Sequence, residues 1–167
     1  MRTKLSLLAA LVSLVVLIGC FETTVSLLEN PGDAKVDRAL VGDWTFAAQG
    51  DSKAQELILR NLDDKRYYVE WPSDDKEKTF RGIGMVSKIK DTMFAEIRPM
   101  PEDGQIADKH VIVRISTADN KLGVRHLKGE FFEGKAASNT KELRKLIEEN
   151  LQNEQMYDEP MVYATKR

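Results

Sequence analysis

Residues 109–127 read KHVIVRISTADNKLGVRHL. Val111, Val113 and Ile115 fall on one face of the first half, with His110, Ile112 and Arg114 on the other. After the polar turn Ala118-Asp119-Asn120-Lys121, Leu122 and Val124 take up the alternation again before His126. A period of two marks a strand with one face turned to a core, so the stretch predicts an antiparallel hairpin.

The same period runs back along the chain. VGDWTFA (41–47) sets Trp44 and Phe46 against Asp43 and Thr45, ELILR (56–60) offers Leu57 and Leu59, and RYYVEW (66–71) alternates Tyr67, Val69 and Trp71 with Tyr68 and Glu70. TFRGIGMVSKI (79–89) carries Gly82 and Gly84 in its interior, which in a strand mark a bend or a close backbone approach and fit a barrel corner. TMFAEI (92–97) follows. Beyond the hairpin one segment reads as a helix. Asn139 caps it, Glu142 stands three residues on to reach back to the cap's own N–H, and Leu143, Leu146, Ile147 and Leu151 form a stripe. A final strand, MVYATKR (161–167), closes the chain. Seven strands, a helix and an eighth strand predict a mainly β fold: a small antiparallel eight-stranded barrel with one C-terminal helix before its last strand, the stripe lying against the wall. A β-sandwich is the alternative.

The chain opens MRTKLSLLAALVSLVVLIGCF. Arg2 and Lys4 precede an uncharged run of about 15 residues, Leu5 to Gly19, short of the roughly 20 that cross a bilayer core. This is the layout of a signal peptide. Leu17-Ile18-Gly19-Cys20 resembles the bacterial lipobox. The resemblance implies cleavage between Gly19 and Cys20 and lipidation of Cys20, the only cysteine in the chain. Phe21, where retained lipoproteins often carry Asp, implies by the same resemblance sorting to the outer membrane, facing the periplasm or the cell exterior. The expected organisation is a signal peptide over 1–19, a lipidated N-terminus and tether over 20–38, and a barrel domain over 39–167. Losing residues 1–19 takes two cations, leaving 23 Lys+Arg against 27 Asp+Glu. An acidic balance argues against a nucleic-acid partner.

LVGDWTF (40–46) resembles the Gly-x-Trp opening of lipocalins and related calycins, with Gly42 and Trp44 in the motif positions. The resemblance implies an eight-stranded barrel plugged at one end by Trp44, and a late arginine packed over it, for which Arg167 is the candidate. The family's Thr-Asp-Tyr motif and long first loop are absent. The chain is also similar to small uncharacterised bacterial lipoproteins: Asp37, Leu40, Gly42 and Trp44 match their opening, and Leu143, Ile147 and Tyr163 their ending.

Chemistry-bearing motifs are sparse. His110 and His126 are the only histidines, and a two-histidine metal site needs ligands that no nearby pattern supplies. Ser87 and Ser116 lack a nucleophile elbow. The acidic stretches at Asp63 and Ser73 read as hairpin turns. No catalytic residue, metal or cofactor is expected. Trp44, Phe46, Tyr67, Trp71, Phe80 and Phe94 either fill the barrel or line a ligand cavity, with Phe46, Tyr67, Trp71, Phe80 and Phe94 the candidate lining. The loop RPMPEDGQIAD (98–108) is the longest between strands, a partner contact or a plain crossover. The reading is a membrane-anchored, non-catalytic binding module for an apolar ligand or an envelope protein. A lipoprotein inhibitor or accessory subunit of an envelope hydrolase, and a structural envelope component, are the alternatives.

Overall fold

The computed structural model describes residues 21–28, 34–48, 53–73, 79–101, 104–135, 137–158 and 160–167, so the expected signal peptide over 1–19, with Gly19, and Cys20 lie outside the described residues. Its strands are β1 (Glu22–Thr23), β2 (Gly42–Phe46), β3 (Gln55–Asn61), β4 (Tyr67–Trp71), β5 (Phe80–Ile89), β6 (Thr92–Pro99), β7 (His110–Ala118), β8 (Lys121–His126) and β9 (Val162–Lys166). Between β8 and β9 come a short helix α1 (Gly129–Phe132), the main helix α2 (Thr140–Glu149) and a 3-10 turn (Glu154–Met156). Strands β2 to β8 pair each with the next, and β9 lies between β8 and β2, closing an antiparallel eight-stranded barrel. The chain's ninth strand, β1, adds to the free part of β7 where β8 has ended.

The opening hairpin forms β7 and β8 as its period demands. Asp119 and Asn120 make the two-residue turn with φ of 50° and 59°, positive values that short polar side chains tolerate and that match the twist of the flanking strands. Val111, Val113, Ile115, Leu122 and Val124 enter the barrel interior with Trp44, Phe46, Leu57, Tyr67, Val69 and Ala164. Gly82 allows the corner expected of it: a Cβ there would stand 2.8 Å from the Arg98 carbonyl on β6.

A second core lies outside the barrel. Phe94 and Ile112, on the outward face of β6 and β7, pack with Leu27, Leu127, Phe132, Leu143, Ile147, Met156 and Tyr157. The helix stripe thus covers the wall as its spacing predicts, with Leu143 and Ile147 buried and Leu146 partly so. Asn139 caps α2 by accepting from Glu142 N–H, but the Glu142 carboxylate accepts from Ser138 N–H, one residue earlier than a capping box on Asn139 requires. The stretch read as a wet tether is also corrected over its described part. Leu27 is 0 % exposed because it packs into the second core on the outer wall, and Ala34 is 2 % exposed.

Substituting Trp44→Ala is expected to cost about 3–5 kcal/mol in urea unfolding followed by near-ultraviolet dichroism. A cost below about 1 kcal/mol would remove Trp44 from the core.

Candidate functional site

The two ends of the barrel differ in what joins their strands. At one end β5–β6 and β7–β8 turn in two residues each, and segment 34–41 crosses the opening, placing Leu40, Val36 and Val41 in the interior cluster. Here Trp44 donates its indole N–H to the Leu40 carbonyl at 2.8 Å. The cation over its ring is Lys166, with Nζ 5.3 Å from the centroid and 3.1 Å from the Ala39 carbonyl it donates to. Lys166 is the direct β9 partner of Trp44, so the two share the inward face. Arg167, one residue on, points elsewhere and pairs with Glu56 at 2.6 Å, which corrects its assignment to the tryptophan. Gly42 is required beneath the lysine: its φ is 151°, and a Cβ would meet Lys166 Cε at 2.6 Å. The Gly-x-Trp motif therefore fastens this closed end. A recess of about 340 Å³ at its rim is lined by Val36, Arg38, Asn61, Asp63 and Asp64.

At the other end the connections are longer, spanning 47–54, 72–79, 100–109 and 127–161. Phe46 and Trp71 stack there with centroids 5.1 Å apart and planes at 9°, and Phe80 is the direct β5 partner of Trp71 on the same face. His126 is the cross-strand partner of Val113 and so faces inward at this end. Burial holds the His126 imidazole below its usual range, with the Asp158 charge partly offsetting that, so it is neutral at pH 7. This aromatic end, with the neutral His126 imidazole and with Gln55, the cross-strand partner of Phe46, as its polar groups, is the candidate binding site. Of the five expected lining residues, Phe46, Trp71 and Phe80 meet here, and Tyr67 sits at the closed end, its hydroxyl hydrogen-bonded to Asp37 of the plug. Phe94 is a correction: paired with Arg114 on the outward face, it belongs to the second core and lines no barrel interior.

His110 and His126 stand on adjacent strands but on opposite faces of the wall, His110 sharing the outward face of Ile112, so they cannot share an ion. Among the described residues no group of three or more His, Cys, Asp or Glu side chains is placed to hold a metal. Nor is any described helix long and apolar enough to cross a membrane, which leaves strands out of account. Ser116 faces the Met161 sulfur at 3.1 Å, and Ser87 Oγ is buried without a partner. The loop 98–108 folds back through Ala107 N–H to Pro99 carbonyl and Arg98 Nε to Ala107 carbonyl.

Sequence reading missed the most unusual group in the molecule, Glu96. Its carboxylate is 1 % exposed on the outward face of β6. One oxygen accepts from Leu27 N–H and from Ser26 Oγ at 2.9 Å, and the other lies 2.8 Å from His110 Nδ1. The His110 ring nitrogen makes no well-aligned hydrogen bond there, so the two groups stand in close polar contact only. Burial pushes the Glu96 carboxyl up, while His110, the Leu27 N–H and the Ser26 hydroxyl together bring it below the ordinary glutamate range. No local signal marks it: on the outward face of HVIVRI only Ile112 is apolar, between His110 and Arg114.

Because the native Glu96 carboxyl binds its proton less readily than the unfolded one, its contribution is complete above the ordinary glutamate value and is lost as pH falls through the lowered native value. Amide exchange should show Leu27 N–H protected at neutral pH and losing protection in that acid window. Glu96→Ala should remove the protection at every pH and cost about 1–3 kcal/mol.

Comparison with protein-family models, with curated proteins and with solved structures finds no match to this chain.

Proposed function

We propose that this protein is a lipid-anchored lipoprotein of the bacterial envelope whose barrel binds an apolar ligand at its aromatic end and performs no chemistry on it. The observation that carries the reading is the segregation of the two ends. Trp44, Lys166, Gly42 and Leu40 are committed to fastening one end, whereas Phe46, Trp71 and Phe80 stand at the end joined by long connections. Stacked aromatics beside a neutral imidazole and the Gln55 amide suit an apolar molecule that carries hydrogen-bonding groups. The anchor rests on the lipobox at residues 17–20, and the sorting to the outer membrane on Phe21.

Two measurements test the proposal. The mature N-terminal peptide should begin at Cys20 and carry diacylglycerol and an N-acyl chain by mass spectrometry, and Cys20→Ala should leave an unprocessed precursor. Native mass spectrometry of the protein extracted from its own envelope should show a retained lipid mass, lowered by about tenfold in occupancy constant in Trp71→Ala. A retained protein mass in its place supports a partner-binding module, and neither mass supports a filled structural barrel. Hydrolysis of envelope esters or peptidoglycan that disappears on His110→Ala or His126→Ala would overturn the non-catalytic reading.

A further inference from the structure

Arg114 of β7 and Arg125 of β8 are direct cross-strand partners on the outward face of the wall. Side chains so paired leave the sheet about 4.5–5.5 Å apart at Cβ, and like charges in that position repel. One ring holds both guanidiniums: the Tyr157 centroid lies 5.6 Å from Arg114 Cζ and 4.3 Å from Arg125 Cζ. Tyr157 is itself fixed, buried with its hydroxyl donating to the Leu151 carbonyl at 3.0 Å and its backbone bridged to Leu127. The two cations are thus set side by side by the fold. Among the described residues one carboxylate pairs with them. Glu154, on the 3-10 turn, accepts from Arg125 Nη2 at 2.5 Å, and Arg114 has no described carboxylate within ion-pair distance. Asp158, the next acid along the chain, lends its charge to His126.

We propose that Arg114 and Arg125 form a binding site for a phosphate group, in which the Glu154 carboxylate is an internal stand-in. The charge balance favours a dianion. Two guanidiniums carry two positive charges, and the one carboxylate offsets one of them with its hydrogen bond on Arg125. A phosphate group brings about −1.5 to −2 charges at neutral pH and at least three acceptor oxygens, so separate oxygens can accept from both guanidiniums. Both cations act at the position that such a group would take. The Arg125 hydrogen bond and charge, and after them the Arg114 charge, hold the Glu154 carboxyl below the ordinary glutamate range. Exposure favours the exchange. The Arg125 side chain is 13 % exposed, a setting in which charge-assisted hydrogen bonds are stronger than in open water. The Glu154 side chain is 76 % exposed, so it can swing into solvent without unpacking the second core, and an ion pair with so wet a partner contributes little to hold it. The pair lies on the outward face, apart from Phe46, Trp71 and Phe80 inside the barrel, so this site does not depend on the ligand proposed for them.

Equilibrium dialysis of the full chain in neutral detergent against radiolabelled inorganic phosphate, with ionic strength held constant by sodium chloride, tests the site. Saturable binding is expected. Glu154→Gln, at an exposed position on the turn, should tighten it several-fold by removing the internal competitor. Arg114→Gln and Arg125→Gln should each weaken it by about tenfold or more, in protein whose near-ultraviolet dichroism shows it folded. Should the arginine variants unfold, the comparison of wild type with Glu154→Gln decides. Displacement of the bound phosphate by glycerol phosphate assigns the group to a soluble ester, and displacement only by vesicles containing phosphatidic acid assigns it to a lipid headgroup; either result upholds the site. No saturable binding in both the wild-type chain and Glu154→Gln overturns it, as does undiminished binding in folded Arg114→Gln. Equal affinity in wild type and Glu154→Gln overturns the stand-in.

Discussion

Everything in the architecture waits on β9. Strands β2 and β8 are far apart in the chain, and each would be a bare edge without the five residues of Val162–Lys166 between them. Ala164 does the central part of this, paired to Phe46 on one side and Leu122 on the other and small enough to sit fully buried between them. Lys166 completes it at the closed end by spanning from the last strand to the plug, its stem over Gly42 and its ammonium between the Trp44 ring and the Ala39 carbonyl. Closure and plugging are therefore one event: the plug has its cation only when β9 is seated.

That requirement accounts for the second core. Strand β8 ends at the aromatic end and β9 starts there, so residues 127–161 must leave and return at the same end. They do so folded back over β6 and β7, burying Leu143, Ile147, Met156 and Tyr157 against Phe94 and Ile112. Tyr157 shows how the return is fixed, its hydroxyl on the Leu151 carbonyl and the Arg125 guanidinium 4.3 Å from its ring centroid. The patch that remains is filled by the N-terminal segment, and the polar cost of burying its backbone there is met by Glu96. A carboxylate in an apolar layer is stabilising only while its donors are present. It thus selects one register for the segment: a shift by a single residue would leave it without the Leu27 N–H.

Much of this was legible because a two-residue period survives in short strands. All eight barrel strands follow from that alternation, and the stripe of α2 from its helical spacing. What was not legible depends on which of two faces a residue joins. Phe94 and Glu96 alternate with Ala95 and Ile97 as any strand would, and nothing local says that the outward face is also covered. Lys166 against Arg167 was decidable in principle, since Val162, Ala164 and Lys166 share one parity. The resemblance to an arginine-capped barrel drew attention to the wrong neighbour. Strand β1 was out of reach, because two residues carry no period, and its pairing exists only where β8 has stopped.

The distribution of roles over the barrel also bears on where variation can act. A change at Trp44, Gly42 or Lys166 disturbs closure itself and is felt throughout, since those side chains are shared between plug, first strand and last strand. A change at Trp71 or Phe80 touches one stacked pair and one cross-strand pair at an end whose connections already differ in length from one another. Substitution at the aromatic end is therefore expected at less expense to the fold than at the closed end. The neutral His126 adds a constraint of another kind: an imidazole that burial keeps uncharged accepts or donates a hydrogen bond but offers no counter-ion to an acid.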